Sequence, residues 1–110
     1  MIGKKTKVYL GRRLESWSEG TPTVTYNEIT SFYAVLAPIS GIEMNRYDKE
    51  TVSKVYKLGF DYKALGETNL DEIKERNRIR IGKKQYDIIW CHNVGNRYWV
   101  LHVEKIDEAL

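Results

Sequence analysis

Two runs of alternating character, QYDIIWCHNV and RYWVLHVEKI, stand on either side of Gly95-Asn96 in the last quarter of the chain. That dipeptide is a two-residue hairpin signal, because the turn needs positive φ at both central positions. It predicts two antiparallel strands in a fixed register: Val94 faces Arg97, His92 faces Trp99, Trp90 faces Leu101 and Ile88 faces Val103. One face then collects Tyr86, Ile88, Trp90, His92, Trp99, Leu101 and Val103, and reads as core. The other carries Asp87, Ile89, Cys91, Asn93, Tyr98, Val100, His102 and Glu104. On it, Ile89, Tyr98 and Val100 are apolar enough to meet another surface.

Four further strands precede this pair. The first spans Lys7 to Leu14, with Val8, Leu10 and Leu14 on one face, and is followed by a turn in ESWSEGTPT at Gly20 and Pro22. The second runs from Val24 to Ala37 and breaks near Asn27 and Glu28. Its FYAVLA segment is apolar at both parities, which predicts a strand covered on both sides. In the third, Val52 to Phe60, the residues Val52, Tyr56, Leu58 and Phe60 are in phase. In ETNLDEIKER, Asn69 and Glu72 have the spacing of a capping box and Leu70 with Ile73 supply a short apolar stripe, so one or two helical turns are expected. The fourth strand, Arg76 to Ile81, turns Ile79 and Ile81 inward and Arg78 and Arg80 outward. The prediction is a mainly β fold of one domain over residues 1–110: a small antiparallel barrel or sandwich of about six strands, one short helix, and a long loop at 37–50 between strands two and three.

A chain of 110 residues, 42% hydrophobic and 30% charged, has material for one core. Its formal charge of +3 describes a mildly basic surface and names no partner. A single cysteine excludes an internal disulfide, and MIGKKTKVYL lacks the apolar run of a signal peptide, so synthesis and assembly in a reducing cytosol are expected. No segment has the roughly 20 apolar residues that span a bilayer.

Catalytic constellations are missing from the pattern. Cys91 and His92 alternate to opposite faces, whereas the expected register puts His102 diagonal to Cys91 on one face. Two ligands do not make a zinc site, and both are read as half-buried sheet residues. Asp71, Glu72 and Glu75 read as capping and solvated positions rather than paired catalytic carboxylates. The glycines form no nucleotide fingerprint. No catalytic residue, metal or cofactor is assigned. A second reading, a nucleic-acid-binding barrel, rests on Arg76, Arg78, Arg80, Lys83 and Lys84, against which stands the simpler role of charge on a solvated strand.

Taken in order, the pieces KVYLGRR, ESWSEGT, FYAVLAPISGIE, YKLGFDY, NRIRIGKKQYDII and GNRYWVLHVEKI resemble the head-closure family of long-tailed bacteriophages, also called head-tail joining, adaptor or stopper proteins. The resemblance covers Lys5 to Ile106. Ile42 and Met44 are bulkier than is usual near the Ser40-Gly41-x-Glu43 step, and the ETNLDEIKER insertion is more elaborate. The family implies a β-barrel assembling into a ring, typically of twelve copies, between the portal-associated adaptor and the tail or tail-terminator protein. Assembled in the host cytoplasm, the ring resides in the virion neck. It retains packaged DNA, which passes through its channel without sequence-specific binding, and it needs no membrane. On this reading the residues Pro38, Ile39, Ser40, Gly41, Ile42, Glu43, Met44, Asn45, Arg46, Tyr47 and Asp48 form a loop reaching a neighbouring copy or the channel. Its mixed charge avoids a brake on passing phosphates.

Overall fold

Alternation of apolar and polar residues is carried by strands long enough to wrap around one core. The computed structural model describes residues 5–39, 47, 54–65 and 71–106. Among them are six strands: β1 (Lys5–Ser18), β2 (Thr21–Pro38), β3 (Val55–Asp61), β4 (Arg78–Ile81), β5 (Lys84–Val94) and β6 (Tyr98–Lys105). All pairings are antiparallel, and the order β1-β2-β3-β6-β5-β4 closes into a barrel because β4 pairs back onto β1. Closure pairs every strand on both sides over part of its length, which shortens the edge that another chain could extend. Inward residues of all six strands make the core, among them Val8, Leu10, Phe32, Leu58, Phe60, Ile79, Tyr86, Ile88, Leu101 and Val103. The Phe32 and Phe60 rings meet at 4.5 Å. Burying each large aliphatic side chain here contributes about 1.5–3 kcal/mol.

The β1–β2 hairpin is longer than the barrel needs. Strand β4 pairs with β1 only at Tyr9, Leu10 and Gly11, and β3 pairs with β2 only from Val35 to Pro38. From Arg12 to Ser18 and from Thr21 to Asn27, the two strands pair with each other alone and project as a two-stranded ribbon. Its tip is a two-residue turn at Glu19 and Gly20, both with positive φ (53° and 79°). The sequence placed the turn at Gly20 and Pro22 and ended the first strand at Leu14. In the structure Pro22 pairs opposite Trp17, a position on an unextended ribbon where a missing N–H is tolerated. The expected break near Asn27 and Glu28 is a bulge: Leu10 pairs with Thr30 and Gly11 with Glu28, leaving Ile29 over.

Two offsets act on the β5–β6 pair. Gly95 and Asn96 both have φ of 56°, and the Arg97 N–H donates to the Val94 carbonyl at 3.0 Å, as a tight turn requires. Yet the ladder starts at Val94 opposite Tyr98, so Arg97 is a third loop residue, its carbonyl accepting from the Tyr62 N–H at 3.0 Å. A bulge at Ile89 then restores the expected pairing of Ile88 with Val103. Between the two offsets the β5 side chains from Trp90 to Asn93 lie on the faces opposite to those expected, while β6 keeps Trp99 and Leu101 toward the core as expected. Trp90 and His92 are outside the barrel, and Cys91, opposite Leu101, packs against the core.

The expected helix is not present among the described residues. Asp71 and Glu72 make a short 3₁₀ turn, Ile73 is buried, and Arg76 takes a positive φ of 78°. Asn69 and Leu70 lie outside the described residues. Val52 does too, while Leu58 and Phe60 are buried and Tyr56 is half-buried as the phase predicted.

Candidate functional site

The basic strand is the first place to look for a ligand surface. Arg78 and Arg80 do point outward, but carboxylates of the same chain hold them. Arg80 makes a two-pronged ion pair with Glu28, donates to the Gly82 carbonyl at 2.8 Å and lies 4.1 Å over the Tyr9 ring. Arg78 donates to Asp87 at 3.2 Å and to Gln85 at 3.0 Å, and stacks 3.8 Å over Tyr26. Hydrogen bonding from Arg80, opposed by desolvation, holds the Glu28 carboxyl below its ordinary pKa. Arg76, Lys83 and Lys84 are the exposed members of the set, Lys83 and Lys84 at the Gly82 turn.

The 37–50 connection is described at three points beyond Ala37. Pro38 ends β2 opposite Tyr56, Ile39 is buried, and the Tyr47 hydroxyl lies 2.6 Å from Nδ1 of His102. Ser40, Gly41, Ile42, Glu43, Met44, Asn45, Arg46 and Asp48 lie outside the described residues. The described part is thus anchored on its own barrel, and His102, 1% exposed, sits beneath Tyr47 and 4.6 Å from the Trp90 ring.

Cys91 and His102 do not share a face. Cys91 is opposite Leu101, so His102 belongs to the outer surface while the Cys91 thiol turns to the core and donates to the Ile73 carbonyl at 3.6 Å. Burial, with the nearby Glu75 charge, pushes that thiol's pKa up, the reverse of what a nucleophile or metal ligand requires. Among the described residues no group of three or more His, Cys, Asp and Glu side chains is placed to hold a metal ion.

What the sequence did not show is a concave hollow of about 1240 Å³ on the outer wall. Its described lining draws on β1, β2, β3, β5, β6 and the turns beside them. It includes the aromatics Tyr33, Trp90, His92 and Tyr98, and five cations, Lys5, Lys7, Lys57, Lys63 and Arg97, against the single carboxylate Asp61. Tyr33 is 60% exposed and Tyr98 41% exposed. Tyr33 lies in FYAVLA, the segment expected to be covered on both sides; Val35 is covered and Tyr33 is not. The reversed register is what brings Trp90 and His92 to this wall.

A second surface is the ribbon. The pairs Arg13–Tyr26, Glu15–Val24 and Trp17–Pro22 lie two residues apart along β1 and so share one face. Trp17 is 68% exposed, Leu14 44% and Val24 40%. The ribbon's base is braced: Arg12 pairs with Glu72 at 2.9 Å, and the Arg13 N–H donates to the side chain of buried Asn77 at 3.0 Å.

Fold and surfaces together define a closed six-stranded antiparallel barrel with a projecting ribbon and a basic, aromatic hollow. No family model matches the sequence, and no curated protein matches it. Among solved structures it is similar to the solution structure of protein SF1141 from Shigella flexneri 2a, with a TM-score of 0.67 and 12% identity over 94% of each chain. At that identity the likeness is one of fold.

Proposed function

We propose that the chain is a structural assembly subunit of a long-tailed phage neck, one copy of a ring that closes the filled head and joins it to the tail. Two things support this reading: the order of sequence features described above, and the barrel that this order implies. The observation that carries it is the ribbon. A two-stranded ribbon is marginal on its own in water, yet this one holds Trp17 and Val24 in the open on one face and Leu14 on the other, apolar side chains that a neighbouring subunit would cover. Repeating one such contact around an axis builds a ring, and the ring restrains DNA by the width of its bore rather than by reading bases. The nucleic-acid reading gains no comparable support, since Arg78 and Arg80 are occupied by Asp87 and Glu28.

Imaging the chain in assembled particles tests the proposal. A ring of this barrel between portal and tail is expected; a neck without it overturns the reading. Removing Gly41 to Asp48 is expected to give particles that package DNA but leak it or lack tails, and normal infectious particles would contradict a role for that loop.

A further inference from the structure

The ribbon and the hollow are complementary, and they cannot meet within one copy. Trp17 lies ten positions beyond Lys7 on β1, about 33 Å along an extended strand, and Lys7 lines the hollow. A straight ribbon therefore carries its tip away from its own hollow. Residues 14–24, LESWSEGTPTV, bring two carboxylates, Glu15 and Glu19, and no Lys or Arg. Glu15 is shared with Arg13 of its own strand at 3.1 Å, so the tip stays acidic chiefly at Glu19. The hollow offers the opposite charge and exposed tyrosines. Its volume exceeds the roughly 300–1,000 Å³ of small-molecule pockets, which suits a segment of chain.

We propose, resting on the ring-subunit reading, that the ribbon tip of one copy docks in the hollow of the next, with Trp17 seated between Tyr33 and Tyr98 and Glu19 facing Lys63 and Arg97. Tryptophan and tyrosine are the side chains that most often anchor an interface, and flanking charges select the partner and steer the encounter. The contact is head to tail: each copy gives a ribbon and receives one. Such contacts propagate until they close into a ring.

The test is sedimentation of the full-length chain and two variants whose changes lie at exposed positions. W17A breaks the ribbon, and K63E/R97E breaks the hollow. The wild type is expected to associate, more weakly at high salt. Each variant alone is expected to sediment as a monomer. Mixed, they are expected to give a heterodimer that grows no further, because only one intact ribbon and one intact hollow remain in the pair. Wild-type association that W17A leaves unchanged overturns the docking and spares the ring reading. A wild type that stays monomeric at the highest soluble concentration overturns self-assembly, and the docking with it. A hollow that instead binds a single-stranded oligonucleotide, lost in K63E/R97E while association persists, assigns it to a polyanion and likewise overturns the proposal.

Discussion

Asn77 ties the barrel's end to the base of the ribbon. It is 1% exposed; its side-chain oxygen accepts from Arg13, its amide donates to the Glu72 carbonyl at 2.7 Å, and its backbone carbonyl accepts from Ile88 at 3.0 Å. N77A strips two of these contacts and leaves the Arg13 N–H and the Glu72 carbonyl without that partner. A loss of about 2 kcal/mol in urea unfolding is expected, with the ribbon's amide exchange accelerated beyond that of the wall. Glu28 and Glu72 give a pH dependence. Both carboxyls are held below the ordinary 4.5, chiefly by hydrogen bonds from Arg80 and Arg12. Their contribution to stability is complete above pH 4.5 and is lost as pH falls through the lowered folded-state values. Glu28 is exposed and Glu72 half-buried, so the effect is modest and its Glu28 share is screened by salt. The stability advantage of wild type over E28Q/E72Q, measured at pH 7 and pH 3, is expected to be smaller at the lower pH, and an advantage that does not shrink would contradict this.

At the scale of elements, one residue decides which aromatics the molecule shows to its surroundings. The bulge at Ile89 reverses the parity of β5, placing Trp90 and His92 on the wall and Cys91 at the core. Deleting Ile89 would remove the bulge while leaving Ile88 opposite Val103 and Trp90 opposite His102, so the faces of β5 are kept and a cost below about 4 kcal/mol is expected; a larger loss in urea unfolding would contradict this. The same pair shows what could be read in the sequence. Strand identity, the inward set Tyr86, Ile88, Leu101 and Val103, and the outward Arg78 and Arg80 follow from period-two alternation. The bulge does not, since QYDIIWCHNV alternates acceptably in either phase and only the packing of Trp90 against His102 distinguishes them. The ribbon was half legible. The turn residues of ESWSEGTPT were plain, but their polar flanks gave no burial period to extend the strands on either side. The hollow was not legible, because it is assembled from five strands whose order in the barrel no local pattern specifies.

For the whole molecule, closure and projection divide the work. Closure shortens the sheet edges open to association without removing them, and side chains of the outer wall and of the ribbon supply the specific chemistry for contacts between copies. That leaves Trp17 and the hollow as the pair with matching chemistry. A photo-crosslinking residue in place of Trp17, in an equal mixture of isotopically light and heavy full-length chains, reports where the tip rests. The account predicts light–heavy crosslinks from position 17 to residues 31–35, 57–63 and 97–100 of another copy. Crosslinks confined to one chain, or reaching other copies only at sites away from the hollow, would contradict it.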